Sequence, residues 1–252
     1  MGLFDLPGPL FTALDSLMSG LPAFARLLIW ATFTGIISML LYWLCSAQEK
    51  TGEAKERAIA ARKAMASYDG TEMDEMLPLA KESLVASLKH FGIVLGPALL
   101  SSLPALAIIV WVSGAFGYQQ PAPGSEVISY TVPTVAINDA TEVADSNGAA
   151  WTLTWPAEGE SRELVAANGE VLTSLPLNAP IPVVHKKLWW NSLIANPNGY
   201  LPDEYEVEAV YFELGSMEFL SFGPGWVRGW EFSYFVLLIL VSLGVKVAFK
   251  IH

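Results

Sequence analysis

Cysteine occurs once in this 252-residue chain, at Cys45, which excludes an intrachain disulfide framework. Histidine occurs three times, at His90, His185 and His252, far apart and without cysteine partners, so no zinc-ligand spacing exists. No G-x-x-x-x-G-K-S/T loop and no G-x-S-x-G elbow appears, which removes the usual anchors for phosphate-loop and serine-hydrolase chemistry. Asp203, Glu204, Glu206 and Glu208 cluster but lack the EF-hand pattern and read as a solvated strand edge. No enzyme site, metal or cofactor is expected, and with a formal charge of −11 no nucleic-acid partner is expected either. Charged residues make up only 15% of the chain and hydrophobic ones 53%, too apolar for an ordinary soluble domain.

What the chain does have is three long apolar runs: Leu21 to Cys45, Phe91 to Phe116 and Trp230 to Phe249. Each matches the roughly 20 residues that a helix needs to cross a ~30 Å hydrocarbon core. Between the first two lies Ala47 to His90, which holds seven of the fourteen Lys and Arg residues. Between the last two, Tyr118 to Gly229 carries fourteen acidic and four basic residues. Lys and Arg favour the cytoplasmic side of membrane ends, and acidic residues count for little in that bias. The basic-rich insert, with Lys246 and Lys250, is therefore expected inside, and the N-terminus and the acidic segment outside. Arg26 alone opposes this. No Lys or Arg precedes it, so there is no basic n-region of a signal peptide, and the first run is expected to be retained.

Leu6, Leu10, Leu14, Leu17 and Met18 recur at helical spacing beside Phe11, with Asp15, Ser16 and Ser19 off that stripe. Residues 1–20 read as an amphipathic helix, either flat on the outer membrane surface or packed on neighbouring protein. In the first crossing, Thr32, Thr34, Gly35 and Ser38 lie at mid-depth; Ser101 and Ser102 do so in the second, and Ser242 lies in the third. Such small polar residues either pack against another helix or line a polar groove. Gln48 to Met65 reads as a helix with a thin apolar stripe at Ala54, Ala58, Ala61 and Met65, and Glu53 pairs by spacing with Arg57. Tyr68-Asp-Gly70 marks a turn. A second helix follows, with Thr71 as its cap, Met73, Met76, Leu77, Leu84 and Leu88 as its apolar face, and Pro78 as a restart or kink. The outer segment opens with a linker, Gln119-Gln-Pro-Ala-Pro-Gly124. Strands are expected at Trp151 to Trp155, at Glu163 to Leu175 around an Asn168-Gly169 turn, at Ile181 to Val184 and at Glu206 to Leu214. Five or six short strands make a small β domain. The aromatic stretches Leu188-Trp-Trp-Asn191 and Phe219 to Trp226 either rest at the membrane interface or fill the β core.

The expected fold is thus an α-helical membrane protein with three transmembrane helices. A cytoplasmic helical hairpin joins the first two, and a small extracytoplasmic β-rich domain is inserted between the second and third. The parts are an interfacial helix at 1–20, crossings at 21–45, 91–116 and 229–251, the hairpin at 46–90 and the β-rich domain at 118–225.

That layout resembles the three-helix core of the YidC/Oxa/Alb insertase superfamily. It is closest to the branch of the archaeal YidC-like proteins and the insertase subunit of the endoplasmic reticulum membrane protein complex. The resemblance rests on Ala61-Arg-Lys-Ala-Met65, on Met73-Asp-Glu-Met76 followed by Pro78 and a Gly- and Pro-containing second crossing, and on Gly225-Trp-Val-Arg-Gly-Trp230. It implies a chaperone-like factor in membrane-protein biogenesis. A polar intramembrane groove lined by Thr32, Thr34, Ser38, Ser101, Ser102 and Ser242 would receive substrate helices, and Met65, Met73 and Met76 would contact them. Its partners would be nascent membrane proteins and the lipid bilayer. The alternative is an accessory or assembly subunit of a larger membrane complex, docked on a fixed partner through the outer domain. Two features depart from the family: Arg26 lies near the outer end of the first crossing rather than at its middle, and the domain before the third crossing is an addition. The absence of an Asn-x-Ser/Thr site in the outer segment suits a prokaryotic inner membrane.

Overall fold

The computed structural model describes residues 1–70, 72–145 and 148–251. The expected cap at Thr71 and the histidine at His252 lie outside the described residues. Helix α1 spans Gly8–Ser16, α2 Ala23–Cys45, α3 Gln48–Ala66 and α4 Met73–Phe116. Strands β1 Glu126–Val132, β2 Thr141–Asp145, β3 Gly148–Thr154, β4 Arg162–Val165, β5 Val171–Leu175, β6 Val183–His185 and β7 Ala209–Phe212 follow, then α5 Gly225–Arg228 and α6 Trp230–Ala248. The chain divides into two compact units, Met1–Leu28 with Ala107–Tyr234, and Ile29–Leu106 with Phe235–His252.

Three helices, α2, α4 and α6, are long and apolar enough to cross a membrane. They bury narrow stripes and expose broad apolar faces. On α2, Leu27, Trp30, Ala31 and Thr34 are buried at i, i+3, i+4 and i+7, whereas Ile29, Phe33 and Ile36 are exposed. On α4, Leu95, Leu99, Leu103 and Leu106 form an exposed row, and Ile239, Leu240 and Leu243 do the same on α6. Rows of exposed leucine at this density exceed what a water-solvated surface carries and suit a hydrocarbon solvent.

Pro78, Pro97 and Pro104 all lie inside α4. The second hairpin helix and the second apolar run, expected on either side of His90 with Pro78 as a restart or kink, are one helix of 44 residues. Each proline removes one backbone hydrogen bond. Breaking the helix instead would create two new ends with about four unpaired groups each, so continuity is the smaller loss.

In the first unit the sheet is antiparallel with strand order β2-β3-β1-β7-β6, and β4 and β5 form a separate hairpin. It lies between α4 and α6 in the chain, as the sequence reading places it. Trp151, Leu153 and Trp155 point into a core shared with Val127, Leu164, Leu175, Val210 and Phe212. The expected strands at 151–155, 163–175, 181–184 and 206–214 correspond to β3, to β4 with β5, to β6 and to β7. Strands β1 and β2 were not among them. The buried positions of β1 include Ser129 and Thr131, so its inward face is not apolar. The Ser129 hydroxyl donates to the Trp151 carbonyl at 3.3 Å, and Thr131 Oγ1 closes the following turn through both the Val135 N–H and carbonyl, at 2.7 and 2.9 Å. The opening linker is also docked: the Gln119 N–H donates to the Gly215 carbonyl and Gln120 Nε2 to the Leu177 carbonyl.

Candidate functional site

Helix α3 and the first part of α4 carry the residues expected to contact substrate, Met65, Met73 and Met76. On α3, Thr51, Ala54, Ala58 and Ala61 are buried, a stripe of small side chains at helical spacing. On the first part of α4, Ser83 is buried between half-buried Leu79, Ala80, Ala86 and Ser87. On both helices the buried positions carry small side chains, and the large apolar ones are exposed. Met73 is 67% exposed, and Met76, Leu77, Leu84, Val85 and Leu88 are exposed along the same helix. Met65, at the end of α3, is also exposed rather than completing the buried alanine stripe. The turn between the helices is held by Tyr68, whose hydroxyl lies 3.1 Å from the Glu72 carbonyl and 3.0 Å from Glu75 Oε2. Partial burial, then the hydrogen bond to Glu75, raises the Tyr68 phenol above its ordinary value. Arg57 pairs with Glu53 across one turn of α3 at 3.3 Å.

The six hydroxyl residues assigned to a groove are placed unequally. Thr34 has no exposed surface and Ser101 is 7% exposed. Thr32, Ser38, Ser102 and Ser242 are half-buried. Thr34 Oγ1 donates to the Trp30 carbonyl at 2.8 Å and Ser38 Oγ to the Thr34 carbonyl at 2.7 Å. Ser101 and Ser102 donate to the Ala98 and Leu99 carbonyls at 3.0 and 2.8 Å. Each of these four hydrogens returns to its own helix backbone, a common way to satisfy a hydroxyl where water is absent. The half-buried Ser38 and Ser102 keep acceptor capacity on their oxygens. Helices α2 and α6 approach closely at Gly35, where a Cβ would lie 3.0 Å from Val241 Cγ1 and 3.1 Å from the Leu238 carbonyl. This contact sets the Thr34–Ser38 level of α2 beside the part of α6 that carries Ser242. Ser101 and Ser102 stand on α4.

A charged pair absent from the sequence reading lies in the first unit. Arg26, in the first turn of α2, donates from Nε to Asp15 Oδ1 at 3.0 Å and from its terminal nitrogen to Asp15 Oδ2. Asp15 is buried, and the guanidinium lies over the Phe116 ring, 5.4 Å from its centroid. Phe11 packs edge-on to Trp111, whose indole N–H donates to Thr12 Oγ1 at 3.0 Å. Helix α1 therefore turns Phe11 and Asp15 inward and leaves Leu10 and Leu14 exposed, with Leu6 and Leu17 exposed on either side of it. Asp15, expected off the apolar stripe, is the anchor of this helix. The readable signal was isolation, since Asp5 and Asp15 are the only acidic residues before Glu49 and Arg26 the only basic one before Lys50. Among the described residues no group of His, Cys, Asp and Glu is arranged to hold a metal ion. The aromatic stretches around Trp189 and Trp226 lie outside the sheet core, and both side chains are exposed.

Comparison with protein-family models, with curated proteins and with solved structures yields no match.

Proposed function

We propose that this chain is a membrane-protein biogenesis factor of the YidC/Oxa/Alb kind, which receives apolar segments of client proteins on its hairpin and passes them along α4 into the bilayer. Helices α2, α4 and α6 are the three crossings. The hairpin of α3 and the first part of α4 stands in the cytoplasm, with the C-terminus on the same side. The N-terminus and the sheet domain stand outside, in a prokaryotic inner membrane. The seven basic residues from Lys50 to Lys89, with Lys246 and Lys250, support this orientation. The opposing charge of Arg26 is matched by Asp15.

The observation that carries the reading is the exposed apolar face on the first part of α4. A 44-residue helix is about 66 Å long at 1.5 Å per residue, roughly twice the hydrocarbon thickness. Its surplus length bears Met73, Met76, Leu77, Leu84 and Leu88 outward. Methionine adapts to apolar partners of varied shape, and an unbroken helix continues the same face into the membrane. A charged side chain at the bilayer centre costs about 2.5–3.5 kcal/mol on insertion scales. The acceptor oxygens of Thr32, Ser38, Ser102 and Ser242 would offset part of that cost for a client's polar flank. No bond chemistry is required.

The test is insertion of a single-span client into proteoliposomes that contain the purified protein. Replacing Met73, Met76 and Leu77 with Glu should cut insertion about tenfold or more, because each placement of an acidic group against an apolar segment costs of the order of a kcal/mol or more. These side chains are exposed, so helix content and melting should stay unchanged. Wild-type insertion by the triple variant overturns the reading.

A second reading, a scaffold or assembly subunit held by a fixed partner, is supported by the burial of Thr34 and Ser101 and by the tight seam at Gly35. In that case the mid-membrane hydroxyls serve packing alone.

A further inference from the structure

We propose that the sheet domain is seated on the bilayer itself, through an apolar collar that lies in the headgroup region of the leaflet where α2 and α6 begin. The inference rests on reading those helices as crossings. It concerns a different surface from the hairpin face and a different partner, lipid.

Three chain segments form the collar: α1 with its exposed leucines, the turn from Leu188 to Ile194, and the loop from Phe219 to Trp226. Leu17 and Trp189 are each 83% exposed, and Leu10, Leu193, Phe222 and Trp226 are exposed with them. The first two are fixed to each other by hydrogen bonds. The Phe4 N–H donates to the Leu193 carbonyl at 2.9 Å. Asp5 Oδ2 accepts from the Gly2 N–H at 2.9 Å and from the Ala195 N–H at 2.7 Å. Gly2 sits so close to this turn that a Cβ would fall 2.6 Å from the Leu193 carbonyl carbon. The third segment is held by the Phe219 N–H on the Arg228 carbonyl at 2.7 Å, and the Phe219 ring lies about 6 Å from those of Phe24 and Phe116, at the ends of α2 and α4.

Two observations identify the occupant as lipid. The first is continuity. Leu17 is six residues from the start of α2 and Trp226 four from the start of α6, so the collar joins the helices where they would meet the membrane surface. The second is charge segregation. Tyr118 to Gly229 nets −10, yet Leu188 to Leu201 and Phe219 to Val227 contain no charged residue, and the first 25 residues contain only Asp5 and Asp15, both engaged in the contacts described. Within these stretches a charged partner would find no group to pair with; the nearest charges, Lys187, Glu218 and Arg228, lie at their edges, and the last two pair with each other. Tryptophan beside uncharged polar groups is the composition of a membrane interface, and an amphipathic face of this kind sinks about 5–10 Å into the headgroup and acyl boundary.

The experiment uses the full chain with Cys45→Ser, reconstituted in phosphatidylcholine bilayers, carrying a nitroxide at one introduced cysteine. Power saturation against oxygen and a nickel chelate reports depth. Labels at Trp189→Cys, Ser192→Cys, Leu10→Cys and Trp226→Cys should show nickel accessibility about tenfold below that at Asn168→Cys, with high oxygen accessibility, as for sites in the boundary region. Ile36→Cys, on the exposed face of α2, should report deep burial in lipid. Nickel access at 189 and 192 equal to that at 168, with 36 deep, overturns the seating alone. Shielding of 189 and 192 from both reagents shows a protein cover and overturns it too. A label at 36 open to nickel removes the crossings, and the seating with them.

Discussion

Asp15 and Arg26 show what one pair of charges does in a nearly uncharged stretch. The pair is two-pronged, which gives geometry as well as energy, and it ties α1 to the first turn of α2 across Pro22. Removing one partner strands a buried charge, at a cost of about 3–5 kcal/mol for a fully buried pair. Arg26 keeps a quarter of its side chain exposed, so Asp15→Ala is expected near the lower end, about 3 kcal/mol, by denaturant unfolding in detergent. The double variant Asp15→Leu with Arg26→Met should recover most of that loss, because an apolar pair of similar volume leaves no charge behind. Equal losses in single and double variants would assign the effect to packing around Phe11 and Phe116.

Glu170, at the β4–β5 turn, carries the clearest pH response. Burial pushes its carboxyl upward. The N–H groups of Glu206 and Val207, the Asn168 side chain and the charge of Lys186 outweigh this and hold it below its ordinary value. A carboxyl with a lowered folded-state value stabilises the fold above its unfolded value, about 4.3. That stabilisation is lost as pH falls through the lower folded value. The Glu170→Gln variant should therefore be less stable than the parent at neutral pH, and the gap should close below about pH 4. A gap that stays constant across that range would show the hydrogen bonds matter without the charge.

At the scale of elements, the seam between α2 and α6 depends on Gly35. Gly35→Ala places a methyl 3.0–3.1 Å from Val241 and the Leu238 carbonyl, a contact that a shift of a few tenths of an ångström relieves. Gly35→Leu has no such relief, and overpacking of this kind costs about 1–3 kcal/mol. Melting in detergent should fall slightly for Ala and clearly for Leu; unchanged melting in both would mean that the helices do not meet there.

Elements differed in how far they could be read in advance. The β4–β5 hairpin was legible because its turn is Asn-Gly and its flanks alternate. β1 was not, because Ser129 and Thr131 occupy inward positions and satisfy their hydroxyls on neighbouring backbone. The unbroken α4 was not, because the local rule for Pro78 is weaker than the loss from two extra helix ends. Helical spacing put Thr34, Ser38 and Ser101 at mid-depth, but spacing gives a face without saying which way it turns. Thr34 and Ser101 turn inward. The exposed methionines were legible as a face, whereas the burial of Asp15 was not, since a lone acid beside a leucine stripe reads as the wet side of the helix.

For the whole molecule, the physical account is one of three apolar helices with two specialised extensions. One is a sheet domain with its own core of tryptophan, leucine and valine, which folds by packing alone since Cys45 has no second cysteine to pair with in the chain. The other is the segment of α3 and the first part of α4, whose buried positions carry small residues and whose large apolar ones are exposed. The proposed function depends on the second extension. A surface that costs solubility and contributes nothing to the hairpin's own packing is accounted for if other apolar segments visit it.

In-cell photo-crosslinking from Met73 and Met76, with Asn168 as the control position and mass spectrometry of the adducts, tests that directly. Many different short-lived membrane proteins captured at 73 and 76, and not at 168, is the outcome expected of a biogenesis factor. One or two stable proteins recovered at a constant ratio would contradict it and make this chain the fixed subunit of a membrane complex.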